Sequence, residues 1–198
     1  MRRAWTRSLI ALCAVTGQIG NGSTTFSIGT PTSPGLANVT DIAAGASHNC
    51  VIAGSPLKTV FCWGENGYQQ LGNATNSVAP QAITSTITGL THVSAGTINS
   101  CVTTSSNTVY CWGNNAYGQL GDNSSATNSA AAVQMAGVAN ANRVDVGTRF
   151  ACVLTTGNEV RCWGKGWLGV LGTGDENTHS TADYVIAPIS EFVPVTPA

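Results

Sequence analysis

Charge is what this sequence has least of. Lys, Arg, Asp and Glu make up only 9 % of its 198 residues, against roughly 25 % in an average globular domain. Three of the eight bases are Arg2, Arg3 and Arg7. From Gly17 onward five bases (Lys58, Arg143, Arg149, Arg161, Lys165) face nine acids, a net of −4. Duplex DNA and anionic membranes are bound through basic stripes, and none exists here, so no nucleic-acid partner is expected. The apolar run from Ser8 to Val15 is far too short to span a bilayer. Helical 3.6-residue periodicity is missing throughout. So are the Gly-x-Ser-x-Gly elbow, the His-Glu-x-x-His pair and the phosphate-binding Gly-x-x-x-x-Gly-Lys loop. The reading is therefore no enzyme, no cofactor and no metal.

What is present is a repeat. Hydrophobic residues make up 42 % of the chain and glycines number 23, which fits a folded core with many tight turns rather than disorder. Cys-Trp-Gly occurs at Cys62-Trp63-Gly64, Cys111-Trp112-Gly113 and Cys162-Trp163-Gly164. A second cysteine precedes each triplet, at Cys50, Cys101 and Cys152. Gly45, Gly96 and Gly147 recur with the same spacing of 51, and a Leu-Gly closes each unit at Leu71, Leu120 and Leu171. A partial copy, Gly17-Gln18-Ile19-Gly20, stands ahead of the first repeat. Several positions recurring in one register mark a repeat architecture.

Within each repeat the pattern is β. Val144-Asp-Val146 alternates ahead of Gly147, as Val93-Ser-Ala95 does ahead of Gly96. Phe150–Leu154 and Val160–Trp163 flank Thr156-Gly157-Asn158 and read as a hairpin. A fourth strand is expected near Ala82–Ile87, Ala131–Met135 and Tyr184–Ile189. Four short strands per repeat of about 50 residues match a β-propeller blade, with a solenoid as the structural alternative. The fold expected is all-β: about three blades of four antiparallel strands plus a partial one. The divisions are a signal peptide or non-repeat leader (1–16), a partial repeat (17–36), blades at 37–87, 88–138 and 139–190, and a tail (191–198).

The cysteines form three couples: Cys50 with Cys62, Cys101 with Cys111, and Cys152 with Cys162. The last two enclose nine residues each, which places the two cysteines opposite one another across a hairpin. Opposed Cβ atoms there lie about 4.5–5.5 Å apart, close to the 3.5–4.5 Å a disulfide needs. A β-bulge would shift that register. Zinc needs four converging ligands, whereas each couple offers two. Buried free thiols leave the pairing unexplained. Disulfides imply an oxidising compartment, which agrees with the signal-like start of Arg2-Arg3…Arg7 followed by an apolar run, cleavable after Gly17. Cys13 is the odd cysteine.

The string Cys111-Trp-Gly-Asn-Asn-Ala-Tyr-Gly-Gln-Leu-Gly121, the similar Cys62–Gly72 and the divergent Cys162-Trp-Gly-Lys-Gly-Trp-Leu-Gly-Val-Leu-Gly172 resemble the regulator of chromosome condensation repeat. The resemblance covers roughly Gly17 to Ile189. It implies a propeller, commonly of seven blades, and the cysteine pairs resemble the secreted bacterial branch. Gly45, Gly96, Gly147, Gly64, Gly113 and Gly164 would permit sharp turns and close blade contact. Trp63, Trp112 and Trp163 would pack between blades. Gln69-Gln70, Gln119 and Asn114-Asn115 read as loop ties. His48 is replaced by Asn99 and Phe150 in the other repeats, so it reads as structural; His92 and His179 fit no pattern. Asp175, Glu176 and Asp183 lack the ordered spacing of a calcium loop and read as solvated.

The function expected is a secreted binding module, extracellular, periplasmic or at the cell surface, that meets a protein or surface ligand through loops 73–80, 122–129 and 173–183. With about three blades present, the expectation is either that the chain is part of a longer propeller or that copies self-associate to complete the ring. The alternatives are a guanine-nucleotide exchange regulator, a secreted enzyme inhibitor and a structural surface repeat protein.

Overall fold

A computed structural model describes residues 17–24, 33–73 and 75–186, with the side chains of 182–186 excepted. The leader 1–16 with Cys13, the tail 191–198 and the end of the expected strand Tyr184–Ile189 lie outside the described residues.

Twelve strands form three antiparallel sheets of four. The first holds β1 (Val39–Ala44), β2 (His48–Ala53), β3 (Thr59–Gly64) and β4 (Ser77–Ala82). The second holds β5 (Leu90–Ala95), β6 (Asn99–Thr104), β7 (Val109–Asn114) and β8 (Asn128–Gln134). The third holds β9 (Ala141–Val146), β10 (Phe150–Thr155), β11 (Val160–Gly164) and β12 (His179–Ile186). Each is a meander in chain order, the form of a propeller blade. The only helix among the described residues is a single 3₁₀ turn, Trp167–Gly169.

The fourth strand departs from expectation. It starts earlier in every blade, at Ser77, Asn128 and His179, so the preceding loops are shorter than 73–80, 122–129 and 173–183. The cause is a register shift two residues after the cysteine: Cys62 faces Gln81 but Gly64 faces Ser77, and the same break occurs at Cys111/Gly113 and Cys162/Gly164. The shift absorbs extra residues and draws Ser77-Val78-Ala79 into the sheet. Pro80 is tolerated there because β4 is an outer strand and needs hydrogen bonds on one side only.

Cysteines face one another in each central hairpin: Cys50 opposite Cys62, Cys101 opposite Cys111, and Cys152 opposite Cys162. Their sulfurs stand at disulfide distance, 2.09, 2.14 and 2.10 Å.

Apolar cores lie between the blades. Trp112 packs with Cys50, Ile52, Leu71 and Ile83 of blade 1 and Val93 and Val102 of its own blade. Trp163 packs with Leu120, Met135 and Val109 of blade 2 and Val144 and Val153 of blade 3. The inner strands β1, β5 and β9 stack closely, and glycine makes this possible. A Cβ on Gly45 would overlap the Gly96 carbonyl oxygen, and one on Gly96 would overlap that of Gly147. The Ala46 N–H donates to the Gly96 carbonyl at 3.1 Å in the space so created.

Gly96→Ala should therefore cost about 1–3 kcal/mol through overpacking. Gly157→Ala, whose Cβ would meet only Thr155 Oγ1 at 3.7 Å, should be neutral or stabilise by about 0.4–1 kcal/mol. Urea unfolding of the two variants checks this; equal effects would remove the close-approach argument.

Candidate functional site

Each blade ends in two connections at the same edge. Cross-strand partners His48–Gly64, Asn99–Gly113 and Phe150–Gly164 place the β1–β2 type of turn beside the β3–β4 type of loop. The glycine of each triplet takes a φ of 103–111°, a conformation glycine adopts freely. That lets Glu65, Asn114 and Lys165 donate their N–H groups to Ser47, Ile98 and Arg149 at 2.9 Å. The result is one face built from three loops and three turns.

Hydrogen bonds register the blades beneath this face. Nε1–H of Trp63, Trp112 and Trp163 donates to the carbonyls of Gln18, Gln70 and Gln119 at 2.8, 2.9 and 3.0 Å. All three indoles are fully buried. Asn49 Nδ2 also donates to the Gln18 carbonyl and Ser100 Oγ to that of Gln70; Ala151 occupies the corresponding place beside Gln119. The partial copy at Gly17–Gly20 thus supplies the first indole with the acceptor that a preceding loop supplies to the others. Inner strands are clasped as well. Asp41 accepts from His92 Nδ1–H at 2.7 Å and from the Val93 N–H at 2.8 Å, and Ser94 Oγ accepts from the Val146 N–H at 3.0 Å.

The loops of blades 1 and 2 are tied internally. Asn66 and Asn115 Oδ1 accept from the N–H of Leu71 and Leu120, and Gln70 and Gln119 Oε1 accept from Tyr68 and Tyr117. In blade 3 the same positions hold Gly166 and Val170. Its loop turns instead through the short 3₁₀ segment with Leu168 at φ 58°. Trp167, Leu168 and Val170 are 59, 70 and 45 % exposed there. Lys165 Nζ stands 4.7 Å from the Tyr117 ring centre and 5.1 Å from that of Trp167, and the Arg149 guanidinium 5.3 Å from Tyr117. This grouping was missed by motif reasoning. Its one sequence signal is the departure of Lys165–Val170 from the repeat.

Of the other candidate residues, His48 is buried, donates Nε2–H to Ser100 Oγ at 2.8 Å, and has no partner at Nδ1 among the described residues. Burial holds its pKa at about 4. His179 lies beside Asp175, away from His48 and His92. Hydrogen bonds from Thr173, Asn177 and His179 hold the Asp175 carboxyl at about 2. Among the described residues no three His, Cys, Asp or Glu converge as a metal site, and no helix is long and apolar enough to cross a membrane. A shallow cleft of about 530 Å³ opens at the opposite end, lined by Leu57, Lys58, Ile83 and Ile87 among others.

Two profiles described as the regulator of chromosome condensation (RCC1) repeat match, one over 39–70 and 90–119, the other over 59–102 and 106–154. Curated protein sequences give no match. Among solved structures, yeast RCC1 (Prp20) bound to Kap60 is similar at 18 % identity and TM-score 0.68, over 77 % of this chain and 37 % of that one. Prp20p from Saccharomyces cerevisiae, in a structure whose subject includes binding to Gsp1p and histones, gives 18 % and 0.67 over 77 % and 39 %. Human WBSCR16 gives 25 % and 0.66 over 74 % and 40 %. The chain spans about two fifths of the length of these structures.

His48 makes stability pH-dependent. Its folded pKa lies below the unfolded value of 6.5, so the unfolded chain takes up a proton that the folded chain refuses. Stability is full above about pH 6.5 and falls toward pH 4 by about 3 kcal/mol. For Asp41, burial raises the carboxyl pKa, but the hydrogen bonds from His92, Val93 and Ile42 and the His92 charge outweigh it, so the net shift is downward from 3.8. Its contribution is present above pH 3.8 and disappears only at lower pH. Denaturant titrations should show the first loss, and His48→Gln should abolish it; an unchanged pH profile in that variant would contradict the assignment.

Proposed function

Because this chain belongs to the regulator of chromosome condensation (RCC1) repeat family, we propose that it is a non-catalytic module of a secreted or surface-exposed protein, binding a protein partner through the face formed by the β3–β4, β7–β8 and β11–β12 loops. The observation that carries this reading is a division of labour. Glycines, tryptophans and cysteines repeat in the interior, whereas the distal loop segments 73–76, 122–127 and 173–178 differ between blades. Loops varied on a rigid scaffold are where recognition usually resides. The yeast relative bound to Kap60 is an instance of a propeller of this family meeting a protein. Cysteine couples at disulfide distance in all three blades support an oxidising compartment.

Alanine at the exposed loop residues Thr75, Ser125, Glu176 and Thr178 should weaken capture of the partner at least about tenfold, as loss of several interface contacts does. Alanine at Ser105, Ser106 and Thr156, on the opposite end, should leave it unchanged. Equal capture by both variants contradicts the assigned face. Peptide mapping without reduction, on protein from its native source, should yield the three intra-blade cysteine links; free thiols there would contradict the secreted setting.

A further inference from the structure

Five bases follow Gly17 in a stretch with nine acids, so carboxylates outnumber cations. Three of the five have partners of their own. Arg143 pairs with Asp145 and Arg161 with Glu159, both at 3.1 Å, and Lys58 Nζ donates to the Leu90 carbonyl. Arg149 and Lys165 have no carboxylate within 4.0 Å among the described residues. They converge instead on the ring of Tyr117, and Lys165 also reaches that of Trp167. The Lys165 N–H bond to the Arg149 carbonyl at 2.9 Å joins the two segments that carry them.

We propose that Tyr117, Arg149, Lys165 and Trp167 form the docking site for an acidic, apolar-flanked segment of a protein partner. The proposal rests on the binding-module reading above and specifies the chemistry of its partner. A cation resting on an aromatic ring is held without being neutralised, and its remaining N–H donors stay available to a carboxylate. Beside the two cations, Trp167 and Leu168 are more than half exposed and offer apolar surface to the residues between the acidic ones. The grouping is particular to the boundary between blades 2 and 3. At the preceding boundary the positions of Arg149, Lys165 and Trp167 hold Ile98, Asn114 and Ala116, and only Tyr68 remains of the four. Charge is the complementary feature: the site is a cationic spot on an acidic chain, suited to a few carboxylates. Two cations fall well short of the roughly 6–10 phosphate contacts that hold a duplex, which argues against a nucleic acid as occupant.

The test titrates the full chain into a fluorescein-labelled peptide of alternating Glu and Leu, with a Gln-Leu peptide and a single-stranded oligonucleotide as comparators, and reads anisotropy. The Glu peptide should bind, the Gln peptide at least about tenfold more weakly, and the Glu affinity should fall as salt rises. Arg149→Gln with Lys165→Gln should lower the Glu-peptide affinity about tenfold or more, while Arg143→Gln leaves it unchanged. Thermal unfolding of each variant shows that its fold is intact. Equal binding of both peptides, an undiminished double variant, or preference for the oligonucleotide overturns the proposal. If peptide binding fails in this way while the loop variants above still lose their partner, the docking chemistry falls and the binding-module reading stands; if the loop variants also bind normally, both fall.

Discussion

The hydrogen bond from each indole N–H to a main-chain carbonyl of the preceding unit sets the spacing of the blades. An indole buried without an acceptor would cost about 1–3 kcal/mol, so each tryptophan is anchored only when the neighbouring loop brings its carbonyl to the right place. That requirement reaches outward. The acceptor carbonyls of Gln70 and Gln119 belong to residues whose side chains also hold Tyr68 and Tyr117 in the loop. Gly72 and Gly121 follow two residues later, and a Cβ on either would press on the next indole. In blades 1 and 2, interior packing and loop shape are therefore one problem, solved by the same few residues.

The third loop shows what happens when the constraint is kept and the ties are not. Trp163 still finds the Gln119 carbonyl, because its acceptor lies in the preceding blade. Blade 3's own loop, with Gly166 and Val170 in place of Asn and Gln, has lost its side-chain bonds and exposes Trp167 and Leu168. The scarcity of charge has a matching explanation: Asn, Gln, Ser and Thr supply the short hydrogen bonds these loops use, and most of the few ion pairs, such as Arg161–Glu159, are local.

Much of this was legible in the sequence, for physical reasons. A repeat forces equal residues into equal environments, so the triplets, the paired cysteines and the spacing of 51 revealed blades and hairpins directly. The fourth strand was misplaced because its residues, such as Ser77-Val78-Ala79-Pro80, carry little β signal and are recruited by a register shift after the cysteine. The bond between Trp63 and Gln18 was foreshadowed by the partial copy at Gly17–Gly20, but not its role as acceptor. The cluster of Tyr117, Arg149, Lys165 and Trp167 was not visible, since it joins three chain segments across two blades. Motif reading treats the divergence of Lys165–Val170 as decay rather than as a surface.

Hydrogen exchange at the indole N–H groups tests the central claim most directly. If inter-blade registration depends on these bonds, the indole protons of Trp63, Trp112 and Trp163 exchange only on global unfolding, and that of exposed Trp167 exchanges at once. Exchange of the three at the rate of Trp167 would contradict it.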